Sequence, residues 1–235
     1  MRRERLIGLA MISLYDIDEA VRDLRRCAQL GLRGAMIWCS PPEDRPYSSP
    51  IYDPFWAEAQ ALNMPLSLHS ITGAGPESRL LVKDPMDRYI RSTVLSHEVQ
   101  RTFTVLIFSG VLERFPRLKF VSAENEVGWL TFFLQKLDQA RDEYKYLYPS
   151  PLTMKPSEYF HRQCYATFID DPVGVATRQF IGVDSLMWSS DYPHTVSTWP
   201  HSREVVERDF HGVPESEKWQ MVRGNAIGIY GLDLP

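Results

Sequence analysis

Six short apolar runs, each followed by a longer stretch with helical spacing, limit what this chain can fold into. They cover residues 6–13, 34–38, 65–70, 119–124, 164–169 and 186–191. Runs this short and this apolar read as strands buried on both faces, and alternation with helices makes the sheet parallel. The first run leads into Asp16-Ile17-Asp18-Glu19, an acidic variant of a capping box, after which Ala20, Val21, Leu24, Cys27 and Ala28 recur at helical spacing. Gly31 stands where a left-handed C-terminal residue is wanted. Asp53-Pro54 supplies an N-cap and first-turn proline for a helix through Phe55, Trp56, Ala59 and Leu62. Further helices are predicted over residues 86–114 and 127–148, the latter with Leu130, Phe133, Leu134 and Leu137 on one face. Asp171-Pro172 opens another, Ser202 begins a polar one, and a terminal helix covers residues 214–230, ending near Gly231.

No repeat, low-complexity tract or linker interrupts this pattern, so residues 1–235 read as a single domain. Its 44% hydrophobic and 24% charged residues suffice for a sizeable core. The fold class predicted is α/β, a (β/α)8 TIM-barrel type that is incomplete, since six strands are read where closure needs eight. Acids and bases are interspersed around a net charge of −4, without a basic stripe to follow a phosphate backbone, which argues against nucleic acid as a partner. Cys27, Cys39 and Cys164 are too scattered for a disulfide framework, so a reducing cytoplasm is the expected compartment. Arg2, Arg3 and Arg5 before the apolar residues 6–15 superficially match a signal peptide. The run lacks a small-residue cleavage site and passes straight into a helix cap. No apolar stretch has bilayer-spanning length, so no membrane association is expected.

Catalytic groups of barrel enzymes come from the C-terminal ends of strands. Three otherwise apolar runs end in a polar residue: His69 in Leu-His-Ser, Glu124 after Val-Ser-Ala, and Asp191 after Trp-Ser-Ser. Singly, each has a structural explanation: an exposed histidine, a helix-capping glutamate, an Asp-Tyr-Pro turn. Together, two carboxylates and an imidazole on one rim are costly to bury unless a cation compensates, and a metal ion does so most simply.

At these residues the chain resembles the amidohydrolase-related proteins, or amidohydrolase family 2. The resemblance runs nearly end to end, through Leu68-His69-Ser70, residues 115–120 leading to Glu124, Ser190-Asp191-Tyr192-Pro193-His194, Gly224-Asn225-Ala226 and Tyr230-Gly231-Leu232. It implies a (β/α)8 barrel with a divalent metal at the strand ends, zinc first and manganese as the alternative. His69 matches the fifth-strand metal ligand, and Asp191 the eighth-strand aspartate that binds metal and shuttles protons. Glu124 falls where many members have a sixth-strand histidine. The family's first-strand His-x-His or acidic-x-His pair has no counterpart here. On that alignment, residues 6–13 become the third strand, and the first two βα units are expected to be missing, the sequence either starting at an internal methionine of a longer protein or being a natural truncation. Exposed apolar edges would then favour association, with a homodimer the expected state.

The resemblance implies a metal-dependent hydrolase of a small organic substrate, in which metal-activated water attacks and Asp191 is general acid and base, with His69 as its catalytic partner. The same architecture supports non-oxidative decarboxylation of an aromatic acid. A third reading is a non-catalytic remnant serving binding or assembly. His194 and His201, on the loop after the last strand, are candidate substrate contacts. Trp199 is a further one; Trp38, Trp129, Trp188 and Trp199 could all stack on an aromatic substrate, although large rings of this kind more often belong to the core. The Pro- and Ser-rich residues 40–50 are either a substrate-facing loop or a solvated connector.

Overall fold

The six predicted runs all form strands: β1 (Ala10–Met11), β2 (Ala35–Ile37), β3 (Leu66–His69), β4 (Phe120–Ala123), β5 (Cys164–Phe168) and β6 (Leu186–Trp188). They form one six-stranded parallel sheet in chain order, β1-β2-β3-β4-β5-β6, each strand joined to its neighbour by a crossover. The computed structural model describes residues 6–73 and 84–233. His69 lies opposite Ala123, Val121 opposite Tyr165, and Phe168 opposite Trp188, so the strands are nearly level and their C-terminal ends share one rim. Among the described residues, β1 and β6 carry the free edges of the sheet.

Alternation along the strands sorts side chains between two faces. Ala35, Ile37, Leu66, Leu68, Phe120, Ala166, Phe168 and Leu186 point into the main core beneath the helices. Its largest cluster is aromatic, with Trp56 fully buried among Tyr47, Tyr52 and Phe120 at ring-centroid distances of 5.4, 5.6 and 5.7 Å. On the other face, Val121 and Met187 pack with Ile229, and Tyr165, Ala226 and Tyr230 join them, so the terminal helix covers part of this inner surface. The β1 edge is apolar and open, with Met11 81% exposed. At β6, by contrast, Leu186 and Met187 are buried.

The helix α1 (Ile17–Gln29) is capped by Asp16, which accepts from Glu19 N–H, and Gly31 is left-handed as predicted. Helix α2 (Asp53–Ala61) is preceded by a 3-10 turn, Pro50–Tyr52, capped by Ser49. Asp53 is therefore no N-cap. Its carboxylate pairs with Arg114 at 2.8 Å instead. The helix predicted over residues 86–114 is three: α3 (Pro85–Val94), α4 (Ser96–Phe108) and a single turn, Val111–Arg114. Left-handed Gly110 breaks the last junction, a local conformation that overrides the continuous helical spacing. Helix α5 (Leu130–Tyr144) buries the predicted face of Leu130, Phe133, Leu134 and Leu137. Helix α6 (Pro156–Gln163) was not foreseen. It is held by Asp138, which accepts from Ser157 N–H at 2.9 Å, and by Gln163, which donates to the Phe115 and Leu118 carbonyls. Helices α7 (Pro172–Ala176) and α8 (Ser202–Asp209) start where predicted, and the terminal segment runs through Glu215–Trp219 and a π turn, Gln220–Gly224, into α9 (Asn225–Tyr230). Among the described residues, no helix is long and apolar enough to cross a membrane.

Candidate functional site

Backbone strain is concentrated on the C-terminal rim. Ile71, Glu124, Glu126 and Asp191 all have positive φ, at 60, 59, 52 and 53°, and all lie just past the ends of β3, β4 and β6. Side-chain-bearing residues in this region cost on the order of 1–2 kcal/mol each and persist only where neighbours enforce them. The enforcing bonds are visible. Glu124 N–H donates to Thr167 Oγ1 at 3.0 Å, Asn125 Nδ2 to the Ala123 carbonyl at 2.8 Å, and Ile169 N–H to Glu126 Oε2 at 3.1 Å. Thr72 Oγ1 donates to the His69 carbonyl at 2.7 Å, and Ser197 Oγ to the Ser190 carbonyl at 2.7 Å. The sharp turns carry Glu124 and Asp191 off the sheet onto its rim.

There His69 Nε2 lies 2.7 Å from Glu124 Oε2, while its Nδ1 faces the Ser70 carbonyl at 2.6 Å. Both ring nitrogens thus face oxygen atoms, which fixes the orientation of the ring. The Glu124 hydrogen bond raises the His69 pKa, opposed by burial, and the same bond lowers that of Glu124. His194 Nδ1 stands 2.9 Å from Asp191 Oδ2, yet that oxygen is buried and has no aligned hydrogen bond. Proximity here is electrostatic rather than a formed bond. One donor atom each from Glu124, Asp191 and His194 lies within 4.8 Å of the other two. Two carboxylates and an imidazole nitrogen, with the Asp191 Oδ2 buried and lacking a donor, fit a divalent cation, a donor set suited to manganese or zinc.

Glu126, two residues on, has a carboxyl pushed up to about 7, chiefly by burial, with the Ile169 N–H opposing and nearby Asp171 and Asp170 adding to the rise. Asp171 pins the same region: Oδ2 accepts from Val127 N–H and Gly128 N–H, at 2.8 and 2.7 Å, and Oδ1 from Gly174 N–H at 2.7 Å.

The remaining sequence candidates are placed unequally. His194, expected to contact substrate, sits in the donor cluster itself. His201 is exposed and directs Nδ1 to Glu204 Oε1 at 3.2 Å at its own helix start, which lends no support to a substrate contact. Trp199 is 62% exposed, with Tyr192 edge-on at 5.2 Å, forming an aromatic pair on the loop after β6. Trp38, Trp129 and Trp188 pack against the core. Residues 40–50 are anchored to the core, because Tyr47 is buried and donates to the Trp38 carbonyl, and Tyr52 reaches back to the Arg45 carbonyl, each at 2.7 Å.

A family model for amidohydrolases matches residues 2–232. The chain belongs to the amidohydrolase family. Among its curated relatives, the gamma-resorcylate decarboxylase of Rhizobium sp. (strain MTP-10005) is 26% identical over 251 residues, covering 99% of this chain and 72% of the relative. The 2-amino-3-carboxymuconate-6-semialdehyde decarboxylase of Dictyostelium discoideum is 23% identical, covering 98% of this chain and 62% of the relative. The solved 5-carboxyvanillate decarboxylase of Sphingomonas paucimobilis superposes with a TM-score of 0.78 at 25% identity, covering 96% and 67% of the two chains. A dihydroxybenzoic acid decarboxylase of Polaromonas sp. JS666, solved with manganese and 2-nitroresorcinol, gives 0.76 at 23% identity over 97% and 70% of the chains. These amidohydrolase-family neighbours share the barrel fold, so the α/β barrel-type architecture expected from the strand pattern is established for this member. Its relatives named here are decarboxylases.

Two features of this rim are not legible in the sequence. The position of His194 beside Asp191 follows from a turn in which His194 N–H donates to the Asp191 carbonyl at 2.8 Å, foreshadowed only by the three-residue spacing. Thr167 reads as an ordinary strand residue until the register sets it beside Glu124.

Proposed function

We propose that this chain forms the metal-holding and proton-transferring rim of a non-oxidative decarboxylase acting on an aromatic carboxylic acid. The observation that carries this reading is the cluster of His69, Glu124, Asp191 and His194 on one rim, in a family member whose curated relatives named above are decarboxylases. Hydrolysis, the first expectation from sequence, has only the family membership behind it. Glu124, Asp191 and one or both histidines would hold the ion, manganese being the metal present in the Polaromonas relative and zinc the alternative. When bound, such an ion orients the substrate's oxygen atoms and offsets the negative charge of the acids.

The rest falls to side chains. His69 is oriented by its Nδ1 contact with the Ser70 carbonyl, which aims Nε2 at Glu124 and the rim. Asp191, with one oxygen free of hydrogen bonds, is the group positioned to carry a proton. It gives that proton to the ring carbon bearing the carboxylate; the carbon–carbon bond breaks with its electron pair forming the new C–H bond, carbon dioxide leaves, and a proton taken up from solvent restores Asp191. Trp199 and Tyr192 offer an exposed aromatic wall beside this turn, a surface for a flat substrate.

The test is carbon dioxide release from a panel of hydroxybenzoic acids by manganese-loaded protein, run beside ester and amide cleavage. Release that is lost in Asp191→Asn and His69→Ala supports the proposal. Ester or amide cleavage without carbon dioxide would restore hydrolysis, and absence of both reactions and of bound metal would favour the non-catalytic module.

A further inference from the structure

Where a parallel strand runs on, its next N–H finds a backbone carbonyl on the neighbouring strand. β4 stops at Ala123, and Glu124 turns left-handed at a φ of 59°. Its N–H has left the ladder and makes no backbone hydrogen bond among the described residues. The acceptor that replaces a backbone carbonyl is Thr167 Oγ1, at 3.0 Å, from the half-buried inner face of β5. No other hydroxyl bonds the backbone N–H of Glu124 among the described residues. The carboxylate at the end of that residue meets His69 at 2.7 Å.

We propose that Thr167 is a positioning residue: its hydroxyl holds the strained Glu124 backbone in the conformation that presents the carboxylate to the metal site. This rests on the reading of Glu124 as a metal-holding residue. Glu126 secures the far side of the same turn through Ile169 N–H, but Thr167 acts on Glu124 directly. Threonine suits the place because its β-branched shape fills a strand position while its oxygen accepts.

Thr167→Val keeps the shape and removes the acceptor, and Thr167→Ser restores the acceptor. Manganese(II) titrated calorimetrically into the full chain should bind about 10–100-fold more weakly in Thr167→Val, the range for groups that orient a metal ligand, with most of the loss recovered in Thr167→Ser. In metal-free protein, the Glu124 amide should exchange its hydrogen faster in the valine variant and at the original rate in the serine variant. Valine binding manganese like the parent, or serine as weak as valine, overturns the proposal. If the parent itself binds no manganese, the metal reading fails separately, and amide exchange still decides: an unchanged Glu124 rate in Thr167→Val refutes the positioning role. Should the valine variant not fold, Thr167→Ala carries the same comparison.

Discussion

Replacing Asn225 with alanine removes a buried amide that joins α9 to the start of β6. Its Nδ2 donates to the Val183 carbonyl at 2.8 Å and the Leu186 carbonyl at 2.6 Å, and its Oδ1 accepts from Gln220 Nε2 at 2.5 Å. The residue is 4% exposed, so water does not replace these partners readily. Each carbonyl left unpaired costs about 1–3 kcal/mol, while alanine returns roughly 0.5 kcal/mol of helix propensity. The net loss expected is ~3 kcal/mol, or a fall of about 6–12 °C in Tm for a chain of this size. Urea unfolding measures it, as a lower midpoint at unchanged slope. Asn225→Asp separates hydrogen bonding from packing. Aspartate keeps the shape and the acceptor for Gln220 but turns a carboxylate oxygen toward two carbonyls, so it should destabilise more than alanine does. Aspartate as stable as the parent, or alanine within about 0.5 kcal/mol of it, would refute the reasoning.

Glu126→Gln keeps an acceptor for Ile169 N–H and removes a carboxyl whose folded pKa, about 7, exceeds the unfolded value of 4.5. Below pH 4.5 both states are protonated and no penalty exists; it accumulates as the pH rises from 4.5 to 7 and is constant above. In chelator-treated protein the substitution should therefore stabilise by ~1–2 kcal/mol at pH 8, allowing for solvent access, and hardly at pH 4.5. Equal changes at the two pH values in urea titrations would count against it. Asp171→Ala strips three backbone N–H groups of their acceptor and should cost ~3 kcal/mol by thermal unfolding, with Asp171→Asn intermediate. Phe120→Ala opens a cavity beside Trp56 and should cost ~3–5 kcal/mol by the same assay, with a smaller loss showing that the aromatic cluster collapses to fill it.

The Gly224-Asn225-Ala226 segment shows how a motif and its physical role come apart. As sequence it marks kinship. In the fold, Asn225 ties two elements together, and a Cβ on Gly224 would lie 2.5 Å from Trp219 Cζ3. Neither could be read from the string, because Val183 and Leu186 become neighbours only once the terminal segment has docked. The split of residues 86–114 into separate helices was hidden for a different reason: apolar spacing continues across Gly110, and its left-handed backbone leaves no periodic trace. Asp53 was read as a cap because Asp-Pro is a frequent helix start, yet the Pro50–Tyr52 turn had already begun the coil and freed Asp53 to pair with Arg114.

Periodicity and residue type were sufficient for the strands, their order and the polar residues at their C-terminal ends, since burial on both faces and the short reach of each crossover leave one arrangement open to such a pattern. Their places at strand ends put His69, Glu124 and Asp191 on one rim by sequence alone. Docking and register settled the rest: that His194 joins Asp191, that His201 turns to Glu204, that the terminal helix covers the inner face at Val121 and Met187, and that Thr167 holds Glu124. Those relations depend on distances of a few ångströms between residues remote in the chain, which strand alternation and helical spacing do not encode.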